Sequence, residues 1–294
     1  MMKIHEVSAR DGLQNESTIL STAQKIYLLE LLAQTKPDSL EVTSFVRADR
    51  VPQFADAAEL CQQLKDVSWR QNLPLVGLVM NMHGYESFST SGLDAITAVI
   101  GAHQEFSRAN SGMTVEQAVR ANEEIIAAAT RDAVPVRMYL SMAFGSPDSP
   151  AELNLVAELL AASAEMGVER VVLSDTVGVA RPELVHEVLQ SAQRYFPLER
   201  VGLHMHDTYG NALDNCAAGL DAGVEYFDAS AGGTGGCPFA PGASGNLATG
   251  ALLDLAQQRQ CAPAGASLQA IDDASDFLSS VLGKPLARGA KLCP

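Results

Sequence analysis

Positive charge is scarce in this sequence: 20 Lys and Arg stand against 35 Asp and Glu, a formal net charge of -15. Nucleic acid and anionic membrane surfaces are densely negative, so neither is expected as a partner. Any anionic substrate must then be met by a local cationic site. Long apolar runs are also missing. The longest, IIAAA from Ile125 and LVAELLAASA from Leu155, fall short of the roughly 20 residues a membrane span needs. The opening MMKIHEV lacks the basic region and apolar core of a secretory leader. The five cysteines (Cys61, Cys216, Cys237, Cys261 and Cys293) are odd in number, scattered and without CxxC spacing. Structural disulfides are therefore not expected, and a reduced, cytoplasmic setting is.

What is present is the composition of a globular protein, with 47% hydrophobic and 19% charged residues in a chain of 294, which argues against long disorder. Short β-branched runs alternate with helical patterns, the rhythm of βα units on a parallel sheet. The strand candidates are Lys3 to Val7, Ser39 to Thr43, Leu75 to Met80, Ala95 to Ile100, Val136 to Ser141, Arg170 to Ser174, Val201 to His204 and Tyr226 to Ala229. Helical faces are expected at Thr22 to Ala33, Phe54 to Lys65, Val115 to Thr130, Glu152 to Met166, Pro182 to Tyr195 and Asn211 to Ala222, with a weaker one near Tyr85 to Thr90. Eight strands without a Pro-, Gly- or Ser-rich linker predict an α/β fold, a (β/α)8 TIM barrel over residues 1–250. From about Leu252 apolar residues recur at helical spacing without another strand, so residues 251–294 are expected to form a short helical C-terminal extension.

In a parallel barrel the chemistry sits where strands end. After the first strand, SARDGLQNE places Arg10 and Asp11 before Gly12. The carboxylate can bind a divalent cation and the guanidinium can stabilise an oxyanion, or the two can simply cap a helix at the surface. Glu41 interrupts a strand that should be buried, which is costly unless it is paired, and Arg10 on the neighbouring strand is a candidate partner. Asp175, in LSDTVG, either orients a ligand imidazole, accepts a proton, or caps the helix near Pro182.

His204 and His206, two residues apart, share one face of a strand and make half of a metal site. Asn246 offers a carbonyl oxygen to complete it, a donor set that suits Mg, Mn or Zn. The loop GGTGGCPFAPGASGN has six glycines and can carry Cys237 as a lid. A cysteine there is placed for acid-base or covalent work, or is a spectator thiol. His5, His83, His103 and His186 have no partner at ligand spacing and are expected to be structural or exposed.

EVSARDGLQNE, LEVTSFVRADRVPQFAD, LSDTVGV, VGLHMHDTYGNAL and GGTGGCPFAPGASGNLAT occur in this order. Together they resemble the 3-hydroxy-3-methylglutaryl-CoA lyase family of the DRE-TIM metallolyase superfamily, from about Ile4 to Thr249. The resemblance implies a TIM barrel, a divalent cation (Mg or Mn), an acyl-CoA substrate, a homodimer, and cleavage of a 3-hydroxyacyl-CoA into acetyl-CoA and a 3-oxo acid. It makes Asp11, His204 and His206 the metal ligands, with Asn246 completing or adjoining the site. It gives Arg10 the thioester oxygen, Glu41 the task of holding Arg10, Asp175 a part in proton removal from the C3 hydroxyl, and Cys237 proton transfer over the closed site.

Three departures bear on the acyl group: Gly250 where the family usually has an acid, Ser146 where many relatives have cysteine, and a loop GAHQEFSRAN about one residue shorter than the usual pattern. The competing readings are another enzyme of the superfamily, an aldolase or an acetyl-CoA condensing enzyme, and a barrel that binds acyl-CoA without catalysis.

Overall fold

The computed structural model describes residues 1–70, 72–235 and 245–287. Eight parallel strands close a barrel in chain order: β1 (Lys3–Glu6), β2 (Ser39–Ser44), β3 (Leu75–Leu78), β4 (Ala95–Gly101), β5 (Val136–Ser141), β6 (Arg170–Asp175), β7 (Val201–Met205) and β8 (Tyr226–Ala229). Pairing of Lys3 with Tyr226 and of Ile4 with Phe227 joins the last strand to the first. The expected (β/α)8 TIM barrel is the observed fold.

Around it lie α1 (Thr22–Gln34), α2 (Ala57–Leu64), α3 (Met82–Ser89), α4 (Gln104–Ser111), α5 (Val115–Arg131), α6 (Leu153–Glu165), α7 (Pro182–Ala192), α8 (Ala212–Ala222), α9 (Thr249–Gln258) and α10 (Leu268–Leu282). Their ends follow local chemistry. Ser21 with Gln24, and Thr114 with Gln117, form capping boxes at the starts of α1 and α5. Gly223, at φ 106°, closes α8 in a conformation that other residues avoid. Among the described residues no helix is long and apolar enough to cross a membrane.

Two helical details differ from the sequence pattern. The loop GAHQEFSRAN folds as α4, because the His103 ring accepts the Phe106 N–H as an N-cap, a role outside the usual Ser, Thr, Asp and Asn signal. The boundary expected at residue 250 falls inside α9, which follows β8 as the helical half of the eighth unit. α10 then packs against α1, with Ala274 and Leu278 buried in a cluster with Leu28, Leu29 and Leu32, and Phe277 edge-on to Tyr27.

Strand alternation separates an apolar outside from a polar inside. On β5, Met138 and Leu140 join the core beneath the helices, as do Val171 and Leu173 of β6 and Leu203 and Met205 of β7. The inward positions carry Arg137 and Tyr139 on β5, His204 on β7 and Asp228 on β8. Arg137 and Tyr139 both reach Asp228, and β5 and β8 are not neighbours in the sheet, so these contacts cross the barrel interior. Layers of branched apolar side chains usually fill this space. Here it is a buried ionic network.

Candidate metal centre and active site

β1 leads straight into a tight turn over Ser8–Gly12, in which the Gly12 N–H reaches the Val7 carbonyl five residues back at 3.1 Å. Such π-type turns are rare and frequent at functional sites. This one projects Arg10 and Asp11 together. Gly12 is required by close approach: a Cβ there would lie 2.5 Å from Thr234 Oγ1 and 2.8 Å from Ser230 Oγ. Glu6 ties the same corner together, with its buried carboxylate accepting from the Ser8 N–H at 2.9 Å and from Thr249 Oγ1 at 2.6 Å.

Arg10 is buried. Its Nε donates to Glu41 Oε2 at 2.6 Å and its Nη1 to Asp11 Oδ1 at 2.6 Å. Burial disfavours the guanidinium charge, but Glu41 and Asp11 more than compensate and hold the group protonated above its ordinary range. Glu41 is fully enclosed, and its Oε1 has no hydrogen-bond partner among the described residues. The expected pairing of Glu41 with Arg10 is therefore present as geometry.

Asp11, His204 and His206 bring one donor atom each to within 4.8 Å of one another. His204 Nε2 stands 3.9 Å from Asp11 Oδ2, and the two imidazole centroids are 5.2 Å apart. Residue 246 is delivered by an antiparallel bridge to His206, and Asn246 Nδ2 donates to Asp11 Oδ2 at 2.8 Å and to the Thr234 carbonyl at 3.0 Å. Asn246 thus adjoins the cluster by holding its carboxylate.

The electrostatics suit a cation. Burial opposes ionisation of Asp11, yet Arg10, His204 and His206 together hold its carboxyl well below the usual range. Burial and the neighbouring His204 push His206 down to about 4, so it is a neutral imidazole at neutral pH, the form that ligates metal. His206 Nδ1 is buried with no hydrogen-bond partner among the described residues. An anionic carboxylate, two converging imidazoles and an unused buried nitrogen fit a divalent ion.

Not every expected residue joins this cluster. Asp175 lies inside β6, one residue beyond the end expected for that strand, on the outward parity of Val171 and Leu173. Its carboxylate accepts the backbone N–H groups of Val179 at 2.9 Å and Ala180 at 3.0 Å. Each oxygen of Asp175 thus takes one amide donor from the loop leading to α7 and keeps a further lone pair, so the carboxylate caps that loop and can still accept a proton. Burial pushes this carboxyl up to about 6. Cys237 and Cys293 lie outside the described residues. His5 bonds Ser39 Oγ at 2.6 Å through Nδ1, and His83 and His186 are exposed.

Motif spacing also passed over Arg137, Tyr139 and Asp228. Asp228 accepts from Arg137 Nη2 at 2.7 Å and from the Tyr139 hydroxyl, and its Oδ2 lies 3.2 Å from His204 Nδ1. The signal available was alternation: Arg137, Tyr139 and Asp228 occupy the inward positions of strands whose other residues are apolar.

Outside the barrel, a cavity of about 560 Å³ opens beside the C-terminal ends of β2 and β3, between α2 and α3. Arg47, which also pairs with Asp49 at 2.6 Å, and Lys65 lie on its wall.

A closed (β/α)8 barrel with a carboxylate, two imidazoles and a buried arginine at its C-terminal rim defines a TIM-barrel enzyme with a candidate metal centre. A family model described as HMGL-like matches residues 1–278. The cytoplasmic 3-hydroxy-3-methylglutaryl-CoA lyase of Danio rerio is 36% identical over 287 residues, covering 96% of this chain and 84% of that protein. A hydroxymethylglutaryl-CoA lyase of Bacillus subtilis (strain 168) is 33% identical over 284 residues, covering 96% and 94%. Among solved structures, the HMG-CoA lyase from Brucella melitensis aligns with a TM-score of 0.91 at 35% identity, over 96% of this chain and 99% of that one. An HMG-CoA lyase from Acenitobacter baumannii, in complex with coenzyme A and 3-methylmalate, aligns with a TM-score of 0.90 at 29% identity, over 100% and 97%. The chain belongs to the HMGL-like family and is a carbon-carbon lyase.

Proposed function

We propose that this protein is a divalent-cation-dependent lyase, with Mg or Mn, that cleaves 3-hydroxy-3-methylglutaryl-CoA or a close 3-hydroxy-3-alkylglutaryl-CoA into acetyl-CoA and a 3-oxo acid. The observation that carries the reading is the convergence of Asp11, His204 and His206 beside the buried Arg10 guanidinium. Asp11, His204 and His206 would hold the cation, with Asn246 fixing the Asp11 carboxylate. When bound, the cation supplies Lewis acidity to a substrate hydroxyl and carbonyl.

The remaining work falls to the chain itself. As the C2–C3 bond breaks, its electron pair moves onto C2 and the thioester oxygen; the C3 hydroxyl gives its proton to Asp175 as C3 becomes a carbonyl, and C2 is then protonated, with Cys237 assisting, to release acetyl-CoA, both proton roles resting on the motif resemblance. Arg10, pre-oriented by Glu41 and Asp11, offers N–H donors to that oxygen and needs no reorganisation as charge develops. Arg47 and Lys65 on the wall of the neighbouring cavity support an anionic, CoA-linked substrate. Cys237 closing over the site and assisting proton transfer belongs to the same proposal and rests on the motif resemblance.

A panel of 3-hydroxy-3-alkylglutaryl-CoA esters of increasing chain length, assayed with Mg or Mn and with both products identified, tests this assignment. The expected result is acetyl-CoA together with the matching 3-oxo acid, with highest kcat/KM for the methyl or a short alkyl substrate. Formation of a carbon-carbon bond from acetyl-CoA, with no cleavage, would instead favour a condensing enzyme.

A further inference from the structure

The buried ionic network under the metal cluster is not used by the steps described above, and its geometry ends on His204, one of the three clustered donors. Asp228 sits on β8 in register with His204 on β7 and with His5 on β1, one layer deeper in the barrel than Asp11 and His206. Asp228 is 2% exposed. Its Oδ1 accepts from Arg137 Nη2 at 2.7 Å; its Oδ2 accepts from the Tyr139 hydroxyl and lies 3.2 Å from His204 Nδ1. Arg137 and Tyr139 both come from β5 across the interior, so the carboxylate is pinned from one side and faces the imidazole on the other. Tyr139 also packs edge-on to the His204 ring, with centroids 5.4 Å apart. A carboxylate fixed in this way can only accept, which places the ring proton of a neutral His204 on Nδ1. The lone pair is left on Nε2, the nitrogen facing Asp11.

We propose that Asp228 is a positioning residue for the metal centre, and that Arg137, Asp228 and Tyr139 form a built-in clamp that fixes both the tautomer and the ring orientation of His204 for a divalent cation. The inference rests on the reading of Asp11, His204 and His206 as ligands. It goes beyond that reading in assigning a function to three residues outside the Asp11, His204 and His206 cluster. Arg137 engages Oδ1 and leaves Oδ2 facing the His204 Nδ1, and the Tyr139 hydroxyl fixes the plane of the carboxylate. The polar barrel interior thereby has a purpose, where an apolar filling would leave His204 free to choose either tautomer.

The test is Mn binding, followed by the electron paramagnetic resonance of free Mn, on the full chain carrying Arg137→Gln together with Asp228→Asn. The double change removes both charges of the buried pair at nearly constant volume, so neither is left alone in the interior. Circular dichroism and the unfolding midpoint monitor the fold. The expected result is Mn affinity weakened by about 10- to 100-fold in a folded protein. Tyr139→Phe, which leaves the Arg137 to Asp228 pair intact, is the second variant; it is expected to weaken Mn binding by a smaller factor than the double change. A histidine-detected nitrogen spectrum of the Mg-loaded wild type should show His204 carrying its proton on Nδ1.

Wild-type Mn affinity in both folded variants, or a His204 proton on Nε2, overturns the clamp while leaving the metal site standing. Should the double variant unfold, Tyr139→Phe and the wild-type spectrum decide the matter by the same criteria. Failure of the wild-type protein to bind Mn at all overturns the ligand assignment and the clamp with it.

Discussion

Arg10 Nε meets Glu41 Oε2 at 2.6 Å, joining the turn after the first barrel strand to the second strand through a side-chain pair that is 7% and 0% exposed. The pair aims the guanidinium at the rim instead of leaving it to fold back on solvent. Replacing Arg10 by Gln removes the charge-stabilising donor and leaves Glu41 buried without its cation. The expected outcome is a fall in kcat of about 10²- to 10³-fold. Urea unfolding should show a loss of stability of up to about 3–5 kcal/mol. Turnover within twofold of wild type would contradict the role given to Arg10.

Asp11 supplies the one anionic donor among the three proposed ligands, and Asn246 holds its second oxygen at 2.8 Å. Asp11→Asn keeps the size of the side chain and removes the charge. Calorimetric titration with Mn should show affinity reduced on the order of 100-fold or more, since even outer partners of metal ligands cost 10- to 100-fold. His206→Ala should do the same through loss of a neutral imidazole.

Gly12 tests the turn that carries Arg10 and Asp11. The Cβ of Gly12→Ala would meet Thr234 Oγ1 at 2.5 Å and Ser230 Oγ at 2.8 Å, so the turn or those side chains must shift. Overpacking of this kind costs about 1–3 kcal/mol. The midpoint of urea unfolding and the Mn affinity are both expected to drop; an unchanged affinity would show that the turn can yield without moving Asp11.

Asp175 gives a pH dependence of known sign. Burial raises its folded carboxyl from 3.8 to about 6, so between these values the folded state binds more protons than the unfolded one, and stability falls as pH rises. A shift of this size corresponds to about 3 kcal/mol across that window. Asp175→Asn lacks the titration. In metal-free protein, the stability of wild type relative to the variant should therefore decrease between pH 4 and pH 7, as read by urea unfolding. A difference that stays flat or grows would contradict the buried, raised carboxyl.

Much of the barrel was legible because its strands are short β-branched runs set between amphipathic helices, and all eight strand candidates fall on observed strands. The metal cluster was legible for a local reason, since His204 and His206 lie at i and i+2 on one strand, and Arg10 and Asp11 directly follow another. What spacing could not show is contact between distant strands. Asp228 finds Arg137 91 residues away, and nothing in either local pattern names the other. α4 was missed because its cap is a histidine ring. Asp175 was legible at the barrel mouth, where it is the last residue of β6, but not its bonds to the Val179 and Ala180 amides, which depend on how the following loop folds.

The most direct test of the whole account is the metal dependence of cleavage: purified protein, stripped with a chelator and then supplied with Mn or Mg, is given 3-hydroxy-3-methylglutaryl-CoA. The account predicts acetyl-CoA and acetoacetate in equal amounts from the loaded protein and none from the stripped protein. Cleavage that survives complete removal of the metal, or a fully loaded protein that leaves every 3-hydroxy-3-alkylglutaryl-CoA intact, would contradict it.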